Sequence, residues 1–361
     1  MDEWAAVGSS LMAEGADHSP PVASIVIMTY KRIDFLLEAI AGTIGQVFDR
    51  PYEIVIVDND PESDGHERVL AAYPALSGRN FRYYRNDQNL GMFGNFNRCI
   101  ELARAEWMTI LHDDDLLSDD FLTLIFSVID AHPATDGVVS RKAFMNQRQT
   151  ALTTMPGVAY RSWPPGTVTT RSALQRVFKS SAARREVIVR AVSRLVLEYS
   201  FLGRTSRRIA PSKMFWGPIL GNTSGFIFRK QAALEIGGFY AEEFPASDLF
   251  FFARFARLYR LRQHRAPAAV YRIAENESAK PDTCRGAITW IHQLQRIMAG
   301  RDLPAWWLRF APLVVARYQR EYRDLWGVDL STQELEAMLG IHVPRHRPYL
   351  LWVVRMALRG Y

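Results

Sequence analysis

The sequence has few cysteines and no long apolar run. Cys99 and Cys284 are the only cysteines among 361 residues, so a disulfide framework is excluded and a reducing compartment is expected. No apolar run approaches the roughly 20 residues that a membrane-spanning helix needs. Residues 1–22 lack the basic start and apolar core of a signal peptide. We expect them to form a disordered leader.

The chain also lacks a G-x-G-x-x-G fingerprint after its first predicted strand, which argues against an ordinary dinucleotide-binding fold. Its net charge of +6 is unevenly distributed, because residues 161–213 contain 12 Arg and Lys against two acids. The basic character therefore belongs to one insertion. We do not expect the protein to bind nucleic acid.

Apolar runs rich in β-branched residues alternate with segments of helical spacing over the first part of the chain. The strands are predicted near residues 23–29, 53–57, 81–84, 107–112 and 137–139. This alternation predicts an α/β fold, a doubly wound, mostly parallel sheet flanked by helices. We expect the domain to cover residues 23–272, with a basic helical insertion at about 161–213 and a C-terminal helical region over 273–361.

Polar and acidic residues follow three of these strands, at Thr29–Arg32, Asp58–Asp60 and Asp113–Asp115. The carboxyl ends of parallel strands meet at one edge of a sheet, so these loops should converge on one crevice. Three adjacent carboxylates repel one another and are readily explained around Mg²⁺ or Mn²⁺, which is often shared with substrate phosphates. The alternative is that they cap the following helix. Convergence of separate carboxylates favours a binding site.

Five segments in this order resemble the family 2 glycosyltransferases, enzymes with the GT-A fold. They are Ser24–Arg32, Ile54–Asn59, Asn89–Gly91 with the following Asn95 and Asn97, Leu111–Asp115, and Ser224–Phe226 leading to Gly237–Phe239 and Asp248. The resemblance covers about residues 23–271. It implies a Rossmann-like, mostly parallel sheet and a nucleotide-diphosphate sugar as donor.

The resemblance assigns the donor side. Thr29, Tyr30 and Arg32 would border the nucleotide, and Asp58 would bond the base. The remaining expected contacts to the nucleotide sugar are Asn89, Gly91, Asn95, Asp113 and Asp114. The metal, Mn²⁺ or Mg²⁺, would be held by Asp115 with help from Asp113, whereas Asp114 has the weakest claim and could be a helix cap. The family often has a late His near the metal. Here Ala274 stands close to that position, and Glu275 or a water would substitute.

The resemblance also assigns the acceptor side. Asp248 stands where the family places its general base, although the usual Glu-Asp pair is incomplete because Ser247 precedes it. Asp248 could instead be the N-cap of the helix that it opens. The acceptor-side candidates are Trp216, Asn222, Ser224 and Glu243, and Glu243 is also a second candidate for the base.

The expected activity is an inverting, metal-dependent transfer of a sugar from a UDP- or dTDP-sugar to a hydroxyl of a glycan or polyprenyl-linked acceptor. We expect a cytoplasmic protein, with peripheral contact to the inner face of the plasma membrane through residues 161–213 and a final helix at 349–358. Two alternatives stay open. One is a Mg²⁺-dependent phosphoryl-transfer or phosphoreceiver domain. The other is a non-catalytic module that binds membrane or polysaccharide.

Overall fold

The computed structural model describes residues 3–146, 152–153, 204–218, 220–273 and 277–344. Most of the predicted basic insertion, the late Ala274–Glu275 pair and the predicted final helix at 349–358 lie outside the described residues. None of the described helices has the length and apolar composition required to cross a bilayer.

One mixed sheet organises the described chain, in the strand order β1-β4-β3-β2-β5-β10-β7-β11-β6, with β8 on β7 and β9 on β11. Strands β2, β3, β4 and β5 pair in parallel, as predicted, whereas β10 runs antiparallel to both of its neighbours. The strands are β1 (Ser9–Glu14), β2 (Ala23–Thr29), β3 (Tyr52–Asp58), β4 (Phe81–Asn86), β5 (Trp107–His112), β6 (Leu116–Leu117), β7 (Gly137–Asn146), β8 (Leu152–Thr153), β9 (Ser206–Arg208), β10 (Phe226–Arg229) and β11 (Leu261–Ile273).

Helices cover both faces of this sheet. They are α1 (Ile33–Ile44), α2 (Gly65–Ala72), α3 (Gly91–Leu102), α4 (Phe121–Ala131), α5 (Lys230–Glu235), α6 (Ser247–Leu258), α7 (Pro281–Met298), α8 (Ala311–Trp326) and α9 (Thr332–Leu339). Alternate residues of a central strand enter opposite cores: Val26 belongs to one apolar cluster, Ile25 and Ile27 to the other. This explains why the strands read as continuous apolar runs. The mostly parallel α/β architecture is confirmed.

The prediction that residues 1–22 form a disordered leader is wrong for β1. Residues 9–14 pair antiparallel with β4, from Ser9 opposite Asn86 to Glu14 opposite Arg82. The Ser9 hydroxyl donates to Asn86 Oδ1 at 2.7 Å. The strand satisfies backbone groups at what would otherwise be an open sheet edge, and its polar composition fits a half-exposed edge strand.

A buried ion pair connects the first strands beneath the candidate site. Arg82 in β4 donates to Glu53 in β3 at 2.6 Å, and both side chains are buried. Glu53 also accepts from the Ser24 hydroxyl at 2.5 Å and from the Arg104 amide at 2.7 Å. The pair therefore joins β2, β3, β4 and the segment that enters β5.

Removing one partner of this pair should destabilise the fold. We expect Arg82→Leu to lower the free energy of unfolding by about 3 to 5 kcal/mol, because Glu53 is left as an uncompensated buried charge. Urea denaturation followed by circular dichroism measures the change. Arg50→Leu, which breaks the exposed pair with Asp130, should cost less than about 1 kcal/mol. Equal losses in the two variants would contradict this interpretation.

Candidate active site

The Asp113–Asp115 triplet follows β5 and precedes the short strand β6, so it does not cap a helix. Helix α4 begins only at Phe121, and the residue before it makes no side-chain cap bond. Each of the three carboxylates has a different set of partners. The alternative explanation by helix capping is therefore wrong for this triplet.

Asp113 faces the loop after β2. Its Oδ2 accepts from the Thr29 hydroxyl at 2.8 Å, and its Oδ1 lies 3.7 Å from the Arg32 guanidinium. Burial raises the pKa of Asp113 to about 7, while the Arg32 charge opposes that shift. Asp113 thus fixes the position of Thr29 and Arg32, two of the residues predicted to border the nucleotide.

Asp114 lies beside the open cavity. Its Oδ2 accepts from Arg32 at 2.7 Å, and both residues line the cavity. The Arg32 side chain is 42% exposed, so its guanidinium reaches solvent while it holds the carboxylate. The sequence analysis ranked Asp114 last of the three acids as a metal ligand. Among the three, Asp114 is the one that lines the cavity.

Asp115 is enclosed by the protein. Its Oδ2 accepts from Asn222 Nδ2 and from the Ser224 hydroxyl, both at 2.6 Å, and its Oδ1 accepts from the Arg272 amide at 2.9 Å. Burial, followed by the charge of Asp114, raises the pKa of Asp115 to about 7. Asp115 therefore joins the end of β5 to the loop before β10 and to the end of β11.

His112, the last residue of β5, belongs to a possible metal group. Its ring packs edge-on against Phe96, with centroids 5.3 Å apart, and its Nε2 lies 3.1 Å from the Thr223 hydroxyl. His112, Asp114 and Asp115 each offer one ligand atom, and these three atoms lie within 4.8 Å of one another. Burial lowers the pKa of His112 to about 4, so the imidazole is neutral and able to ligate a metal.

Arg272 and Lys142 are site residues that the sequence reasoning missed. Arg272 Nε donates to the Asp114 carbonyl at 2.9 Å, and its guanidinium pairs with Glu38. Lys142 Nζ donates to the Leu220 carbonyl at 3.0 Å and to Asn222 Oδ1 at 2.9 Å. The signals in the sequence that could have identified them are a lysine inside strand β7 and an arginine near the end of strand β11.

Lys142, in β7, donates hydrogen bonds to the loop before β10. Burial lowers its pKa to about 8, although the negative charges of Asp115 and Asp248 oppose the shift. Gly221, at φ +72°, and Gly225, at φ +77°, give the loop its left-handed turns. A Cβ on Gly225 would lie 2.6 Å from the Ser140 hydroxyl, so the loop can approach β7 only because this residue is glycine.

The predicted nucleotide side is built on an asparagine network. Asn86 Nδ2 donates to Asn59 Oδ1 and to Asn95 Oδ1, both at 2.9 Å. Asn59 in turn donates to Asn89 Oδ1 at 2.9 Å and to the Gly91 carbonyl at 3.2 Å. Asn89 and Asn95 thus hold the turn after β4 against the end of β3. Asn59 and Asn86 were not among the predicted site residues.

Asp58 and Tyr30 complete the nucleotide side. Asp58 is buried at the end of β3, where its Oδ2 accepts from the Tyr83 hydroxyl at 2.6 Å and its Oδ1 from the Asp60 amide at 3.0 Å. Tyr30 is 42% exposed. The next residue, Lys31, has a φ of 59°, a strained value for a non-glycine residue that is often found at functional sites.

A cavity of about 640 Å³ lies beside Arg32 and Asp114, and the other residues described for the nucleotide side are not among those that line it. His112 and Asp114 line it together with Asp248, although Asp248 is more than 130 residues further along the chain. Asp248 lies in the first turn of α6, not at its N-cap, and its Oδ1 accepts from the Leu249 amide at 2.7 Å. Burial raises the pKa of Asp248, and the hydrogen bond from the Leu249 amide and the charge of Lys142 oppose that shift.

The acceptor-side predictions differ in outcome. Trp216 and Asn222 line the cavity. Ser224 is fully buried, and its hydroxyl donates to Asp115 Oδ2. Glu243 lies outside the set of described residues that line the cavity, because Arg254 holds it at 2.5 Å behind the start of α6. Its assignment to the acceptor side stays a prediction.

Comparisons with known proteins agree with this architecture. Residues 24–186 match the family model described as glycosyl transferase family 2. The abequosyltransferase RfbV of Salmonella typhimurium is 31% identical over 109 residues, which is 30% of this chain and 32% of that protein. An uncharacterized protein of Mycobacterium tuberculosis is 30% identical over 113 residues, which is 31% of this chain and 32% of that protein. The chain thus spans about a third of the length of these curated relatives.

Among solved structures, S. aureus TarS residues 1–349 in complex with UDP-GlcNAc align with a TM-score of 0.54 at 15% identity, over 94% of this chain and 89% of that one. The same fragment in complex with UDP gives a TM-score of 0.51 at 14% identity, over 94% and 79%. At this level of identity the likeness concerns the fold. With the family match, it shows that residues 24–186 are similar to glycosyl transferase family 2 and that the described chain has the GT-A fold.

Proposed function

We propose that the protein transfers a sugar from a nucleotide-diphosphate sugar to an acceptor hydroxyl. The observation that carries the proposal is that one cavity brings together the His112 and Asp114 side chains and the distant carboxylate of Asp248. A transfer of this kind needs positive charge near the leaving diphosphate and a base near the acceptor. Residues of the possible metal group and the proposed base line the same space.

The donor is proposed to be a UDP-sugar or dTDP-sugar. The loop at Thr29–Arg32 follows β2 and the network around Asn59 follows β3, where in this proposal they would border the nucleotide. Arg32 can reach a diphosphate from its half-exposed position. The complexes of the S. aureus neighbour with UDP and UDP-GlcNAc support a uridine donor.

The metal is proposed to be Mn²⁺ or Mg²⁺, held by His112 and Asp114, with Asp115 behind them. The residues fit a divalent ion because a neutral imidazole and carboxylate oxygens lie within reach of one position. An imidazole ligand suits Mn²⁺ better than Mg²⁺, which prefers oxygen. When bound, the ion would stabilise the negative charge that develops on the leaving diphosphate. Asp113 is outside this group and, in this proposal, contacts the ribose or sugar.

Asp248 is proposed as the general base. Its carboxylate would take the proton from the acceptor hydroxyl as that oxygen attacks the anomeric carbon, while the bond to the diphosphate breaks. Attack from the face opposite the leaving group would invert the anomeric centre. Asp248 suits this role because its partial burial raises the pKa of the carboxylate and makes it a stronger base than an exposed one.

The acceptor is proposed to be a glycan or polyprenyl-linked saccharide at the cytoplasmic face of the membrane. The cavity extends from Asp248 to helices α7 and α8 through Thr283, Tyr318 and Tyr322. These helices follow the part of the chain that the family model matches. Acceptor choice would therefore depend on this protein's own C-terminal region. Membrane contact through residues 161–213 and 349–358 stays a proposal.

A donor screen tests the proposed activity without a known acceptor. We expect slow hydrolysis of one UDP- or dTDP-sugar in the presence of Mn²⁺, and loss of that activity after treatment with EDTA. Asp114→Asn should lower the hydrolysis rate by roughly 100-fold or more, because a metal ligand and its charge stabilisation are removed. Release of UDP or dTDP is measured by a coupled assay.

Asp120→Asn is the matched control for this screen. Asp120 is exposed and near the triplet in sequence, but it does not line the cavity among the described residues. Its variant should hydrolyse donor like the wild type. Full activity in the EDTA-treated protein or in Asp114→Asn would exclude the proposed metal site, and binding of UDP without any turnover would favour the non-catalytic alternative.

Asp248→Asn tests the general base. We expect transfer to an acceptor to fall by about 100- to 10,000-fold, while UDP binding, measured by calorimetry, stays unchanged. Since the base acts deprotonated and burial raises its pKa, the wild-type rate should rise with pH through a value above that of an exposed Asp. The pH profile of kcat measures this rise.

The comparison variant is Glu243→Gln, since Glu243 was the second candidate for the base. Its pairing with Arg254 outside the cavity predicts an acidic limb of the kcat profile like that of the wild type. The assignment to Asp248 is wrong if Glu243→Gln removes that limb and Asp248→Asn keeps it.

A further inference from the structure

The cavity has a second group of cations besides Arg32 and Lys142. Arg141 in β7, Arg207 in β9 and Lys213 in the short 3-10 helix Pro211–Trp216 all line it. Strand β9 pairs antiparallel with β11, which places Arg207 opposite Gln263, and Arg207 donates to Gln263 Oε1 at 2.7 Å. We call these three cations the basic end of the cavity.

Lys213 is the member of the basic end whose charge is least compensated. Within the part of the chain that the structure describes, it forms no ion pair with a carboxylate. Burial, followed by the nearby positive charge of Arg207, lowers its pKa to about 8. The pKa of Arg207 is itself lowered by burial and by Arg141. A half-buried ammonium beside like charges is costly unless an anion joins it.

The carboxylates that line the cavity have partners other than Lys213. Asp114 accepts from Arg32, Asp248 accepts from the Leu249 amide, and Glu321 lies 3.4 Å from Arg317 in α8. Glu277 accepts from the Thr283 hydroxyl at 3.1 Å and from Lys280 at 2.7 Å. Within the described residues, none of these acids forms an ion pair with Lys213.

The basic end also differs from the cations that serve the donor side. Arg32 is held by Asp113 and Asp114 at the nucleotide loop. Lys142 is engaged by Leu220 and Asn222 beneath the loop before β10. Lys213 belongs to neither group, so a donor diphosphate placed at Arg32 would leave its charge uncompensated.

We propose that the basic end binds a phosphate or diphosphate ester carried by the acceptor, so that the acceptor is an anionic saccharide and not a neutral glycan. This rests on the proposed function, in which Asp248 activates an acceptor hydroxyl in the same cavity. Guanidinium groups form bidentate bonds to phosphate oxygens, and an ammonium adds a compact charge. The phosphate could belong to a polyprenyl carrier or to a soluble phosphorylated saccharide.

The test uses the full chain and the donor found in the screen. Common hexoses and N-acetylhexosamines are each offered in three forms: as the polyprenyl diphosphate, as the 1-phosphate, and as the neutral octyl glycoside. We expect transfer to phosphorylated forms, and Lys213→Gln should raise their KM by about tenfold through loss of one charge-assisted contact. Lys213→Arg should restore most of the affinity. Transfer to the diphosphate alone would identify the lipid carrier as the source of the phosphate.

Two readouts separate this proposal from the proposed function. Donor hydrolysis without acceptor should be the same in Lys213→Gln and wild type, and absence of hydrolysis in the wild type would instead reject the proposed function. Arg323→Gln removes an exposed cation that is outside the described cavity lining and should leave every KM unchanged. The proposal is overturned if neutral glycosides are used as well as phosphorylated ones, or if Lys213→Gln affects all three forms equally.

Discussion

The buried carboxylate of Asp115 is the constraint on which the site depends. It accepts hydrogen bonds from Asn222 and Ser224 before β10 and from the Arg272 amide in β11, so it holds three distant segments at one sheet edge. A carboxylate without solvent is costly unless its oxygens are satisfied. These three donors offset that cost. They also orient Asn222, whose amide oxygen is held from the other side by Lys142.

In this arrangement the three consecutive acids have different contacts. Asp113 positions the Thr29–Arg32 loop, Asp115 holds the surrounding segments together, and Asp114 is left beside the cavity. A metal group of Asp114 and His112 then needs no rearrangement of Asp115. The neutral imidazole matters here, since a protonated His112 would repel a cation. Asp114, which the sequence analysis ranked last as a metal ligand, is thus the one of the three acids that lines the cavity.

The sequence predicted the parallel part of the sheet well, because buried strands such as Ile54–Val57 carry continuous β-branched runs. It also predicted which loops meet, because loops after parallel strands share an edge. It could not predict which of three adjacent carboxylates faces a ligand, since that depends on donors from Asn222 and Arg272, more than 100 residues away. Lys142 was missed for the same reason. The edge strand β1 was missed because its polar residues are stabilised by β4 and not by burial.

The cations that line the cavity match what the two proposed anionic substrates would require. A donor diphosphate and a phosphorylated acceptor in one poorly solvated space repel each other, and that repulsion is stronger than in water because the effective dielectric constant is lower. One cluster of cations between them would bind both groups but would not keep them apart. Arg32 with a metal at Asp114, and Lys213 with Arg207 elsewhere in the cavity, would neutralise each anion where it binds. Asp248 could then remain ionised as the base, because the two anions nearest to it would already be paired.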